Sequence, residues 1–192
     1  MIKKKPKLLP VAVPWEISPS VPNLKIGKSD DSGQVSATFV GHFKCDEMAD
    51  SHLDPYSVQL VSEDSNFRVV PLSIKSPFKM VRINFVNCYF FRISPAVSDA
   101  EVIPEDGYDW SAVASSLMPN ERIEDNVKRT RELWIKSEIC PDPGMYEVEN
   151  SPLLSDFSSS SNEVHHYLML GHDEYIEVIA ERWAWEAGQP VD

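Results

Sequence analysis

The chain has 192 residues, of which 42% are hydrophobic and 25% are charged, and its formal net charge is −12. This length and composition are those of one globular domain that needs neither disulfides nor a metal to fold. The acidic excess argues against DNA or RNA as a partner, because binding to phosphates depends on Lys and Arg.

Residues 1–33 differ in composition from the rest of the chain. They contain five prolines and six lysines against a single acidic side chain before residue 30, and they end in the turn-forming Ser29–Gly33. Proline removes backbone donors and breaks regular helix. We therefore predict an extended, Pro-rich N-terminal arm over 1–33 rather than a core element, followed by a single domain over 34–192. The arm is either disordered or lies against the domain through Trp15 and Ile17.

Alternating apolar and polar residues then predict several strands. The pattern begins at Val35 and continues to Lys44, returns over 56–60 and 70–74, and is strongest over 81–93. Pro71 makes the 70–74 segment an edge strand or a bulge. Residues 81–93 are apolar on one side throughout and on both sides at the centre, which is typical of a strand inside a sheet.

Helix signals follow this strand. Asp109 is a candidate N-cap for a short helix that ends near Leu117. A longer helix is predicted from about 120 to 137, with an apolar stripe formed by Ile123, Val127, Thr130 and Trp134.

The C-terminal part predicts a short strand near 146–148, a serine-rich loop over 151–162 and a β-hairpin over 165–185. In the hairpin, strands 165–170 and 175–185 flank a four-residue connection that contains Gly171. Together these elements predict an α+β fold: a mostly antiparallel β-sheet of six to eight strands with one main amphipathic helix packed on it.

The second strand of the hairpin carries the main candidate site. Ile176, Val178 and Ala180, followed by Arg182 and Ala184, form the side that we predict to face the core. The other side combines large aromatic and acidic side chains, a composition suited to a protein interface. The alternative is that its tryptophans pack under the N-terminal arm or the helix. The residues predicted to bind a partner are Tyr175, Glu177, Glu181, Trp183 and Trp185.

A second cluster is polar and lies near the turn of the same hairpin. His166, His172 and Asp173 are residue types that bind zinc or iron, and they are weak candidates for a metal site. Their spacing matches no metal motif, and His165 and His166 point to opposite faces of a strand. The alternative interpretation is one buried histidine and two solvated residues at a turn.

The cysteines and the apolar runs indicate the cellular compartment of the protein. Cys45, Cys88 and Cys140 are odd in number and far apart, which favours a reducing compartment. No run reaches the length of about 18 apolar residues that a membrane span needs. We predict a cytoplasmic protein without membrane association.

Two functions stay open at this point. No Gly-rich phosphate loop, G-x-S-x-G elbow or C-x-x-C pair occurs, so no cofactor and no catalytic residue is predicted. The first hypothesis is a non-enzymatic module that binds a protein with a basic surface, a general profile shared by small acidic immunity or antitoxin proteins. The alternative is a small metal-dependent hydrolase that uses His166, His172 and Asp173. The identity of the partner and the oligomeric state are not predicted.

Overall fold

The computed structural model describes residues 4–18, 25–28, 34–44, 60–63, 66–69, 78–98, 101–157 and 163–190. In these ranges the elements are β1 (Lys7–Pro10), β2 (Trp15–Ile17), β3 (Lys25–Lys28), β4 (Val35–Phe43), β5 (Leu60–Glu63), β6 (Asn66–Val69), β7 (Phe78–Pro95), α1 (Ile123–Ser137), β8 (Met145–Glu149), β9 (His165–Leu170) and β10 (Glu174–Pro190). Two short 3-10 helices span Glu105–Gly107 and Pro152–Asp156.

One antiparallel sheet forms the centre of the described molecule. Its strands follow the order β1-β8-β9-β10-β7-β4-β2, and β3 shares the outer edge of β4 with β2. β5 and β6 form a separate antiparallel pair. The predicted class, a mostly antiparallel sheet with one helix, is confirmed, as are the strand at 81–93 and the C-terminal hairpin.

The N-terminal segment joins the two edges of this sheet. β1 pairs with β8 at one edge, and β2 pairs with β4 at the other. Between them, the amide of Val11 donates to Met145 and the carbonyl of Val13 accepts from Cys140. Because residues 7–17 contact both edges, the sheet curls around an enclosed inner face.

The prediction that this segment is not a core element is therefore wrong for residues 7–17, whereas the alternative, that it lies against the domain through Trp15 and Ile17, is confirmed. The side chains of Leu8 and Trp15 are both 0% exposed. Trp15 makes edge contacts with Phe39 and Trp185, at ring-centre distances of 5.0 and 6.0 Å. Proline is unsuited to a helix interior but not to the extended backbone of an edge strand, so Pro6, Pro10 and Pro14 are compatible with β1 and β2. The proposed boundary at residue 33 lies outside the described residues.

Apolar side chains cover both faces of the sheet near β8, β9 and β10. The inner cluster includes Trp15, Phe85 and Met169. The outer cluster includes Leu8, Val148 and Leu168, covered by the segment 101–113 through Ile103 and Val113. Strands buried on both faces have little alternation, which explains the continuous apolar runs in this part of the sequence.

The side chains of β10 change faces in the middle of the strand. Ile176, Val178 and Ala180 contact the inner core, but so do Trp183 and Trp185, which lie an odd number of residues further on. The change occurs between Ala180 and Trp183, where β10 passes Asn87 of β7, just beyond the register shift between the pairs Ile179–Phe90 and Ala180–Cys88. Irregular pairing of this kind can re-aim the side chains that follow it.

The helix α1 confirms the longer predicted helix but not the whole of its packing stripe. Trp134 is buried against His42 at a ring-centre distance of 5.7 Å. Ile123 and Val127 belong to the same stripe and are 68% and 59% exposed. The shorter helix predicted from Asp109 is absent, because residues 109–117 form turns and a bridge to β1.

The remaining strand predictions have mixed outcomes. β4 confirms the strand that begins at Val35, and β8 confirms the strand near 146–148. The pattern over 70–74 lies outside the described residues, as does most of the pattern over 56–60.

Candidate functional site

A cavity of about 300 Å³ opens on the outer face of the sheet. Its floor is formed by β7, β9 and β10, and its walls by the segment around the first 3-10 helix and by the start of the second. The polar side chains that line this pocket are Arg92, Tyr108, Ser151, His166, Tyr175 and Glu177. They come from five separate parts of the sequence.

Sheet register places the charged centre of the pocket. Glu177 lies directly opposite Arg92 on β7 and opposite Leu168 on β9. His166 precedes Leu168 by two residues, so it shares the face of Glu177 as a diagonal neighbour. Three adjacent strands thus bring a cation, a carboxylate and an imidazole together.

Glu177 is a buried carboxylate that is held by arginine. The residue is 4% exposed. Its Oε2 accepts a hydrogen bond from Arg92 Nε at 2.8 Å and a second, closer one from Nη2. The pKa of Arg92 is raised mainly by its hydrogen bond to Glu177. A buried carboxylate needs such a partner, because loss of hydration penalises an isolated charge by several kcal/mol.

His166 is the second buried polar group, at 2% exposed. Its Nδ1 is 2.7 Å from the hydroxyl of Ser151. Its Nε2 is 3.6 Å from Glu177 Oε1, and among the described residues it has no hydrogen-bond partner. Burial, with a smaller contribution from the charge of Arg92, lowers the pKa of His166 to about 4, so the ring is neutral at pH 7.

A tight turn after β8 places Ser151 over the histidine. Asn150 adopts a left-handed conformation with φ of 57°, which asparagine tolerates better than most residues. Ser151 then caps the second 3-10 helix, and its hydroxyl accepts a hydrogen bond from the amide of Leu153 at 3.2 Å. Pro152 occupies the first turn, where a missing N–H removes no internal bond.

The opposite wall is attached to β1. The carbonyl of Pro6 accepts from the amide of Asp109, and the amide of Leu8 donates to the carbonyl of Asp109. These bonds fix the segment that carries Tyr108 beside the pocket. Burial is also the main cause that raises the pKa of Tyr108, followed by the charge of Glu177, so its hydroxyl stays protonated at neutral pH.

The order Ser151, His166, Glu177 resembles a nucleophile, base and carboxylate triad, but the electrostatics oppose that chemistry. A pKa near 4 makes His166 a weak base toward a serine hydroxyl at neutral pH. Arg92 already occupies the carboxylate that would have to stabilise an imidazolium. The arrangement is better suited to holding a ligand through hydrogen bonds than to transferring an acyl group.

The structure separates the five residues that were predicted to share one interface. Glu177 is buried in the pocket, so the expectation that it lies on an exposed face is wrong. Glu181 accepts hydrogen bonds from Asn87 and from the hydroxyl of Tyr89, each at 2.8 Å. Tyr175 lines the pocket.

Trp183 and Trp185 are half-buried on the inner side of the sheet. The indole of Trp185 contacts Phe43 as well as Trp15, and that of Trp183 contacts Tyr167. The assignment of these two residues to the face opposite the core is wrong, because the faces of β10 change between Ala180 and Trp183. The alternative, packing under the N-terminal segment, is confirmed for Trp185 by its contact with Trp15. Whether any of these residues binds a partner stays a prediction.

The metal candidates are also placed apart. His166 contacts Ser151 in the pocket, whereas His172 is exposed at the turn and contacts Asp173 at 2.6 Å. Within the described ranges, no group of three His, Cys, Asp or Glu side chains is arranged to hold a metal ion.

Three pocket residues were not singled out from the sequence. Arg92 ends the alternating stretch of β7, Ser151 begins the serine-rich stretch that was predicted to be a loop, and Tyr108 precedes a predicted helix. The one available signal was Glu177, a charge within the apolar run 176–180. Such a charge, once buried, requires a cation on a neighbouring strand.

Comparison of the chain with protein-family models, with curated proteins and with solved structures yields no match. The helices in the described part of the chain are too short or too polar to cross a membrane.

Proposed function

We propose that this chain is a non-enzymatic binding protein, and that its recognition centre is the pocket of Arg92, His166 and Glu177. One observation carries the proposal: two buried polar side chains, His166 and Glu177, line a cavity, and Nε2 of His166 has no hydrogen-bond partner among the described residues. Convergent polar groups in an otherwise apolar cavity are typical of ligand sites.

The proposal can be tested with four single-ring compounds that differ in charge and polarity: phenol, toluene, benzoate and benzylamine. Calorimetric titration measures their binding to the wild-type protein and to two variants. Glu177→Gln replaces the pocket carboxylate with a neutral amide of nearly the same shape. Glu181→Gln is the matched control, on the same strand but outside the pocket lining.

We expect at least one compound to bind the wild-type protein and Glu181→Gln equally, and to bind Glu177→Gln about tenfold more weakly, since one charged hydrogen bond contributes about that much. Absence of binding by all four compounds, or equal binding by the two variants, would contradict the proposal.

A basic protein partner is a second candidate, as for an immunity-like protein. The net charge of −12 favours it, and so does the exposed pair Glu105 and Asp106, which lies between the pocket-lining Pro104 and Gly107. We expect reversal of both charges, Glu105→Lys together with Asp106→Lys, to slow association with a copurifying basic protein, and the decrease in rate to be largest at low salt. The control is the reversal of the equally exposed Glu124 and Asp125 on α1. Equal association rates for both double variants would exclude this surface.

The cytoplasm is the location that we propose. Cys140 is a free thiol in the structure. Free thiols persist in a reducing compartment, whereas an oxidising compartment tends to pair them.

A further inference from the structure

Two atoms of the pocket, Oε1 of Glu177 and Nε2 of His166, determine which ligand groups can form hydrogen bonds there. Glu177 Oε2 accepts both bonds from Arg92, which leaves Oε1 beside His166 Nε2. We assign the ring proton to Nε2, because the adjacent carboxylate favours a donor there, and the Ser151 hydroxyl then donates to Nδ1. A donor and an acceptor therefore lie 3.6 Å apart, too far for a hydrogen bond to each other.

A ligand group that satisfies both atoms must accept from Nε2 and donate to Oε1. A hydroxyl does this with a single oxygen atom. A carboxylate has no proton to donate, while an ammonium group has no lone pair with which to accept. The pair of atoms thus selects a neutral hydroxyl over either charged group.

The rest of the pocket suits a small apolar ring. Its walls include Pro104, Val148 and Leu153, together with the rings of Tyr108 and Tyr175. Its volume of about 300 Å³ lies at the small end of the range for ligand sites. Arg92 neutralises the charge of Glu177, so the site does not require a charged ligand.

We propose that the pocket binds a small neutral aromatic alcohol, with its hydroxyl between His166 Nε2 and Glu177 Oε1 and its ring against the apolar wall. This inference rests on the proposed binding function and names the class of ligand. Phenol is the probe, and toluene, which replaces the hydroxyl with a methyl group, is its matched control.

The first test uses the wild-type protein labelled with ¹⁵N-histidine. Phenol is expected to bind at least about tenfold more tightly than toluene, because loss of the hydroxyl leaves both polar atoms unsatisfied. Phenol is also expected to shift the Nε2 resonance of His166, and toluene is not. Equal affinities, or an Nε2 resonance that phenol leaves unchanged, would overturn the inference.

Two variants locate the hydroxyl contact. The side-chain amide of glutamine extends to the position of histidine Nε2, whereas that of asparagine reaches only the position of Nδ1. We expect His166→Gln to keep the preference for phenol and His166→Asn to lose it, with phenol and toluene binding within about twofold of each other. A preference for phenol that persists in His166→Asn contradicts the proposed geometry.

These outcomes separate the two proposals. Tighter binding of benzoate or benzylamine than of phenol, still weakened in Glu177→Gln, would keep the binding function and overturn the hydroxyl class. Failure of all four compounds to bind would overturn both.

Discussion

His166 is the residue whose environment departs most clearly from that of a solvated side chain. It is enclosed on β9, bonded to Ser151 through one nitrogen, and close to Arg92 and Glu177 on the other side. Burial lowers its pKa to about 4, whereas the same ring in an unfolded chain has a pKa of about 6.5. Between these two pH values the unfolded chain binds a proton that the folded protein does not.

This difference predicts a specific loss of stability in acid. Because the unfolded state binds more protons in this window, the free energy of unfolding falls as the pH decreases from 6.5 to 4, by up to about 3 kcal/mol. Urea unfolding at pH 7 and at pH 4.5 measures the loss. His166→Gln has no titrating ring, so its loss over the same interval should be smaller by most of that amount. Equal losses in the two proteins would show that His166 is not held neutral.

At the scale of elements, the side chains of β10 change faces where the strand passes the irregular part of β7 near Asn87. Asn87 lies at this point with a φ of 52°, and its side-chain amide donates to Glu181 at 2.8 Å. Asparagine occupies the left-handed region at lower cost than other residues that have a Cβ atom, and a β-branched residue is the least suited to it.

Substitution of Asn87 tests this backbone geometry. Asn87→Val should lower the free energy of unfolding by about 1–2 kcal/mol, because valine is strained at positive φ. Asn87→Gly should stay close to the wild type, since the relief of strain offsets the loss of one exposed hydrogen bond. Denaturant midpoints of the three proteins provide the comparison. A valine variant as stable as the glycine variant would argue against the left-handed turn.

The irregular pairing near Asn87 also explains how far the sequence pattern could predict β7 and β10. Alternation over 81–93 was sufficient to predict the strand, because a strand needs only a consistent period. The change of face between Ala180 and Trp183 was not predictable, since a local irregularity in strand pairing re-aims side chains without a clear mark in the sequence. The assignment of Trp183 and Trp185 failed for this reason.

The pocket was less predictable than the sheet. Glu177 within an apolar run was a sign of a buried, paired charge. Ser151 gave no such sign, because its position over His166 depends on the turn at Asn150 and on the pairing of β8 with β9. Contacts between distant segments follow from strand order, which periodicity does not determine.

At the scale of the whole molecule, residues 7–17 connect the parts of the fold. They pair with β8 and β4 at opposite ends of the sheet order and place Trp15 inside the curled sheet. The chain also reaches the pocket at the start of this segment, since the preceding Pro6 lines the pocket and Leu8 donates a hydrogen bond to the carbonyl of Asp109. Stability and the candidate site therefore depend on one N-terminal segment.

Trp15→Ala tests that dependence. Removing a fully buried indole leaves a cavity between Phe39 and Trp185, and the free energy of unfolding should fall by about 3–5 kcal/mol. Val127→Ala is the control, because this apolar side chain is exposed on α1, and its effect should stay within about 0.5 kcal/mol. Urea unfolding monitored by far-UV circular dichroism, which does not depend on the removed indole, measures both. If Trp15→Ala is no more destabilising than the control, the segment is an appendage, and the curled sheet is stable without the connection between its edges.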